Sequence, residues 1–98
     1  MEIKTTKEFN EWLKEQNGTV QKQVRSRLLK IKTDNHFGTN SKDLKNGLKE
    51  LKWTNGTRVY FTIELENGQI MIVLLGGNKN GQNKDISKAR KILERETE

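Results

Sequence analysis

The stretch Asn46-Gly-Leu-Lys-Glu-Leu-Lys-Trp53, Thr54-Asn-Gly56, Thr57-Arg-Val-Tyr-Phe-Thr-Ile-Glu-Leu65, Glu66-Asn-Gly68, Gln69-Ile-Met-Ile-Val-Leu-Leu75 and Gly76-Gly-Asn-Lys-Asn-Gly-Gln82 decides the fold. Apolar runs of strand length are cut twice by Asn-Gly, the dipeptide that best tolerates the left-handed backbone of a hairpin turn. The spacing predicts an antiparallel three-stranded meander with strands over 47–53, 57–66 and 69–76. In the middle strand Val59, Phe61, Ile63 and Leu65 alternate with Arg58, Tyr60, Thr62 and Glu64, so one face packs and the other is left for work.

Turn register decides which neighbours join Arg58. A two-residue loop at Asn55-Gly56 sets Trp53 opposite Arg58 and mixes apolar with charged residues on both faces. A longer loop, Thr54-Asn55-Gly56 with Gly56 in the left-handed bulge position, sets Lys52 opposite Arg58, Glu50 opposite Tyr60 and Leu51 opposite Val59. The second register is preferred, because a slip of one residue exchanges the two faces of a strand. It gathers Glu50, Lys52, Arg58 and Tyr60 on one polar face.

Outward from the meander, Ile3 lies in a stretch too short to assign beyond an edge strand. Thr5 and Glu8 have capping-box spacing, and Phe9, Trp12 and Leu13 follow at helical intervals, which predicts a helix over 5–17 closed by Asn17-Gly18. Thr19 opens a second helix over 19–32, with Val20, Val24, Leu28 and Ile31 on one face. The two form a hairpin whose apolar stripe covers the packed face of the meander. Residues 33 to 47 lose periodicity and read as a loop pinned by Phe37 and Leu44. Beyond Gly76-Gly77, the residues Ile86, Ala89, Ile92 and Leu93 mark a last helix over 82–95. The fold class is α+β.

A chain of 98 residues makes one domain, 1–98. Apolar residues are only 31% and charged residues 33%, yet the apolar ones concentrate in periodic segments, which argues for a folded chain rather than a disordered one. The absence of cysteine excludes a disulfide framework and thiolate chemistry. Met1-Glu2-Ile3-Lys4 lacks the apolar run of a signal peptide and no window approaches a membrane span, so a cytoplasmic location is expected. The formal charge of +6 points to a polyanionic partner.

His36 is the one histidine, in a polar loop without an acidic or cysteine partner at ligand spacing, and reads as a surface residue rather than a metal ligand or a base. Gly76-Gly77 with Lys79 lacks the spacing of a phosphate loop. What remains is a cationic and aromatic face of Lys52, Arg58, Tyr60, Lys79 and Lys84. An arginine beside a tyrosine on a strand suits single-stranded RNA, the guanidinium holding phosphate while the ring stacks on a base.

Several runs together resemble the addiction-module killer branch of the RelE/ParE toxin superfamily, similar to HigB toxins. They are Gly47-Leu-Lys-Glu-Leu-Lys52, Arg58-Val-Tyr-Phe61, Leu74-Leu-Gly-Gly-Asn-Lys79, Gln82 and Asp85-Ile86, with Glu8-Phe9, Trp12-Leu13 and Asn35-His-Phe-Gly38 upstream. The resemblance implies a helical hairpin packed on a curled antiparallel sheet with a short C-terminal helix. It further implies a toxin of a type II toxin-antitoxin system, a ribosome-dependent endoribonuclease needing neither metal nor cofactor. Its partners would be mRNA on the ribosome and a cognate antitoxin, a small helix-turn-helix protein. The rival expectations are a ParE-like toxin inhibiting DNA gyrase and a non-catalytic nucleic-acid-binding module. On the cleavage reading, Arg58, Lys79 and Lys52 are the catalytic candidates, and Tyr60, Gln82, Lys84 and Glu50 the RNA-binding ones. Lys52 stands where the family usually has arginine, and Asn78 where it usually has aspartate.

Overall fold

The computed structural model describes residues 1–38, 40–65 and 69–97. In chain order it contains β1 (Glu2–Thr5), α1 (Lys7–Lys14), α2 (Gly18–Asp34), β2 (Ser41–Asp43), β3 (Lys49–Lys52), β4 (Thr57–Glu64), β5 (Ile70–Asn78), a 3-10 turn (Lys79–Gly81) and α3 (Gln82–Thr97). The strands form one sheet in the order β1-β5-β4-β3-β2. The predicted meander is its centre. Lys52 pairs with Arg58, Leu51 with Val59 and Glu50 with Tyr60, and Gly56 stands at φ 94° in the intervening turn. The second Asn-Gly turn, Asn67-Gly68, lies outside the described residues.

The edge strand expected at Ile3 is present, but the sheet is not antiparallel throughout. β1 pairs parallel to β5, with Ile3 beside Met71. Residues 41–43, read as loop, form β2 antiparallel to β3. Its side chains are exposed, so no alternation of burial marked it in the sequence. The turn into β3 holds Lys45, Asn46 and Gly47 at positive φ. Arg90 of α3 donates to the carbonyls of Leu44 and Lys45 and fixes that turn.

The helix ends also correct the reading. Thr6, not Thr5, caps α1, accepting from the amide of Phe9 at 3.1 Å while its own hydroxyl donates to the Leu74 carbonyl. Asn17 does not close α1, which ends at Lys14. Instead its side chain accepts from the Val20 amide at 2.9 Å and opens α2, the role assigned to Thr19.

The two faces of the sheet carry separate cores. Phe9 and Leu13 of α1 and Val24 and Ile31 of α2 pack with Leu51, Val59, Phe61, Met71 and Val73. On the opposite face Ala89 and Ile92 of α3 pack with Leu48, Tyr60, Ile72, Leu74 and Leu75. The sheet reaches this arrangement through a bulge in β5: Tyr60 faces Leu75 while Phe61 faces Val73, so Leu74 is the extra residue. The face expected to remain open is therefore roofed over most of its length by α3. Leu65, assigned to the packed face, lies past the end of β4 and is 71% exposed.

Gly76 and Gly77 let both layers approach the same point of β5. A Cβ on Gly76 would lie 2.1 Å from Cε3 of Trp12, and one on Gly77 would lie 2.1 Å from Oδ2 of Asp85. The indole covers one side and the first turn of α3 the other, so these glycines are required by close approach rather than by a turn.

Candidate cationic groove

The end of the sheet that α3 leaves uncovered is an open groove of about 300 Å³. Lys52 of β3, Arg58 of β4 and Lys79 from the turn after β5 line it, together with Asn40, Trp53 and Thr54. The three catalytic candidates are thus brought together by two strands and the turn that follows a third. The pairings of Lys52 with Arg58 and of Arg58 with Gly77 place them side by side. Lys79 is not on a loose segment: its amide donates to the Gly56 carbonyl at 2.8 Å and its aliphatic stem covers Gly56. No carboxylate lines the groove among the described residues, so the side chains that line it are cationic or neutral.

Arg58 is half-buried and held. Its Nη1 donates to the carbonyls of Thr57 and Trp53 at 3.1 and 3.4 Å, while its buried Nε has no hydrogen-bond partner. Asn78 opens the turn that carries Lys79, its side-chain oxygen accepting from the Asn80 amide at 2.9 Å.

The residues expected to contact RNA are distributed differently. Tyr60 and Glu50 have no exposed surface. Tyr60 sits under α3 among leucines and isoleucines, and its ring has no free face on which a base can stack. Burial is the main reason its hydroxyl is pushed above the usual phenol range. The Glu50 and Asp85 carboxylates push the same way and Arg58 opposes them, so the hydroxyl stays protonated. Glu50 is a buried floor residue, bonded through Oε2 to the side-chain amide of Gln82 at 2.8 Å. That bond occupies Gln82 with the protein itself. Lys84 is exposed beside Lys79, Asn80 and Asn83 in a separate shallow depression and does not line the groove.

Beneath the cations the structure therefore places a buried polar cluster in which Glu50 Oε1, Arg58 Nε and Tyr60 Oη lack partners. Such groups are costly and rare, and they concentrate where a fold gives up stability for function. Asp85, nearby over Gly77, has its carboxyl raised by burial despite Lys88. Among the described residues no group of three or more His, Cys, Asp or Glu is placed to hold a metal ion.

Sequence reasoning missed Trp53 and Arg27. The guanidinium of Arg27 lies 4.8 Å from the centre of the Trp53 ring and donates to the carbonyls of Lys52, Phe37 and Asn40 at 2.6, 2.9 and 2.9 Å. Trp53 adjoins Lys52 in sequence and was open to notice. Arg27 is one of several basic residues on α2, and nothing local distinguishes it.

Comparison with known proteins places this geometry. A family model described as phage derived protein Gp49-like (DUF891) matches residues 11–96. The chain belongs to this family. Within reach of the Gp49-like chain in sequence is an uncharacterized protein of Haemophilus influenzae, 34% identical over 95 residues, which cover 96% of this chain and 94% of the relative. In structure the Gp49-like chain is similar to a mutant of the E. coli toxin RelE in the free state, with a TM-score of 0.71 and 14% identity over 92% of this chain and 94% of that one. It is also similar to a chain of the RelB-RelE antitoxin-toxin complex from Methanococcus jannaschii, with a TM-score of 0.64 and 13% identity over 83% and 95% of the two chains. The RelE-like fold expected from the sequence is the fold of this protein.

Proposed function

We propose that this protein is the toxin of a type II toxin-antitoxin system and that it cleaves mRNA on the ribosome. The observation that carries the reading is the convergence of Lys52, Arg58 and Lys79 in one carboxylate-free groove at the open end of a RelE-like sheet. In the reaction a ribose 2′-hydroxyl attacks the adjacent phosphorus and the bond to the 5′-oxygen of the next nucleotide breaks. The products are a 2′,3′-cyclic phosphate and a 5′-hydroxyl. Negative charge builds on the non-bridging oxygens, and a preorganised guanidinium with two ammonium groups is suited to stabilise it. Lys52 and Lys79 are the groups within the groove available to move protons. His36 lies outside it. A site with strong charge stabilisation and no histidine benefits most from having its substrate oriented from outside, which is the contribution expected of the ribosome.

The reading includes a partner. Solved RelE chains occur in RelB antitoxin-toxin complexes, and a basic groove of this kind suits an antitoxin segment rich in acidic and apolar side chains. The expected antitoxin is a small helix-turn-helix protein, and the expected location is the cytoplasm. No helix among the described residues is long and apolar enough to cross a membrane.

The test pairs cleavage with folding. Arg58→Ala should lower mRNA cleavage in a translating extract about a hundredfold, the usual effect of removing one charge-stabilising donor, while the variant still unfolds cooperatively, with a melting temperature lowered only by the loss of its bonds to Thr57 and Trp53. Undiminished cleavage by a folded Arg58→Ala protein would remove the groove from the chemistry. Gyrase supercoiling measured on the same samples distinguishes the ParE-like alternative.

A further inference from the structure

A second concavity of about 390 Å³ lies on the other side of Trp53, which lines both it and the cationic groove. Its wall on α2 carries Gln23, Ser26, Arg27 and Lys30, and His36 also lines it. Phe37 lines it as well, held by a near-parallel stack on Phe61 at 5.6 Å. No carboxylate lines this cavity either among the described residues. The acidic side chains Glu8, Glu11, Glu15 and Asp85 line a different hollow, between α1 and α3. The two adjoining concavities thus share one sign of charge and one aromatic ring.

The arrangement is preorganised. Arg27 is tied to three backbone carbonyls and stacks on the indole, so neither plane is free to swing. Asn55 donates to Oε1 of Gln23 at 2.9 Å, which orients that amide and leaves its N–H donors for a ligand. Among the described residues the side chains of Ser26 and Lys30 make no hydrogen bond or ion pair within the protein. Guanidinium and indole planes take bases by stacking, hydroxyl and amide groups bond base edges, and a lysine at the rim takes phosphate.

We propose that this cavity is a second nucleotide subsite, holding the base of a nucleotide that neighbours the cleaved phosphate in single-stranded RNA. The inference rests on the RNA-cleavage reading and extends it: the strand would run from the cationic groove across Trp53 to α2, so Arg27 and Trp53 act in substrate selection rather than in bond cleavage.

The experiment is amide and indole chemical-shift mapping of the labelled full chain with two probes, inorganic phosphate and an uncleavable 2′-O-methyl trinucleotide. Phosphate is expected to shift resonances of Lys52, Arg58 and Lys79. The trinucleotide should add Ser26, Lys30 and the Trp53 indole. Lys30→Ala, an exposed change on α2 that leaves the core intact, should lower the ratio of trinucleotide to phosphate affinity on the order of tenfold. A trinucleotide that shifts only the cationic groove overturns the subsite and leaves the cleavage reading standing. Shifts at Ser26 and Lys30 produced by the neighbouring gene product but not by the trinucleotide assign the cavity to a protein and also overturn it. Failure of both probes to bind overturns the subsite, and the cleavage reading is then judged separately by the Arg58→Ala assay in a translating extract.

Discussion

The side-chain amide of Gln82 donates a 2.8 Å hydrogen bond to Oε2 of Glu50, a carboxylate with no exposed surface. The bond joins the first residue of α3 to the floor of β3 and so sets how α3 meets the sheet beside the cationic groove. Glu50 Oε1 has no partner, which leaves this as the one hydrogen bond of the carboxylate among the described residues. Gln82→Ala should therefore cost about 1.5–3 kcal/mol, the usual penalty when a buried charged group loses its bond. Glu50→Gln keeps the shape and removes the charge, so it should cost less than Gln82→Ala. Urea unfolding of both variants checks the order, and a neutral Gln82→Ala would show that the bond does not hold the carboxylate.

At the glycine pair the two layers make unequal demands. Gly76→Ala drives a methyl into the Trp12 ring, which is packed with the core that includes Phe9. Gly77→Ala meets the end of the Asp85 side chain, which can rotate away. The expected loss for Gly76→Ala is about 1–3 kcal/mol, in the range of core overpacking. The Gly77→Ala loss should be smaller. Thermal melts that place Gly77→Ala below Gly76→Ala would contradict the packing argument.

The C-terminal helix is latched to α1 by Arg95, whose Nη2 donates to Oε1 of Glu8 at 2.9 Å while Nη1 donates to Oε2. Chiefly through that contact, the Glu8 carboxyl is lowered from 4.5 to about 2. A depressed carboxyl stabilises the fold when ionised, so its contribution is complete above pH 4.5 and is lost as the pH falls towards 2. The Arg95 side chain is 47% exposed, and salt should weaken the effect. Arg95→Gln should flatten the stability profile between pH 4.5 and 2 at low salt. Parallel profiles for parent and variant in that window would show that the latch contributes nothing.

Lys52 stands where the resemblance to HigB-like toxins leads one to expect arginine, and the structure places it directly across from Arg58. A guanidinium there offers two parallel donors to phosphate where an ammonium offers a point charge. Lys52→Arg should raise mRNA cleavage in a translating extract by roughly threefold to tenfold, the worth of one added hydrogen bond of ordinary strength. A fall in rate would instead assign Lys52 to proton transfer, which arginine cannot perform.

The sequence by itself determined the parts of the fold that depend on neighbours along the chain. Alternation in Arg58 to Glu64 and the turn at Asn55-Gly56 set the central strands, their register and the adjacency of Lys52 to Arg58, because a hairpin closes over a few residues and a one-residue slip would expose its core face. Helical spacing likewise revealed α1, α2 and α3, with errors of a few residues at their caps, where Thr5 and Thr6, or Asn17 and Thr19, compete on similar chemistry. Tertiary structure decided which polar residues remain polar in function. Tyr60 and Arg58 share a face in the strand pattern, yet α3 crosses that face over Tyr60 and stops short of Arg58, and only the position of a helix more than twenty residues away separates a buried phenol from an accessible guanidinium. The same holds for Glu50 and Gln82, thirty-two positions apart, and for Arg27 over Trp53. Such pairings depend on how layers dock, and docking is set by the sum of many small packing contacts that leave no local mark in the sequence.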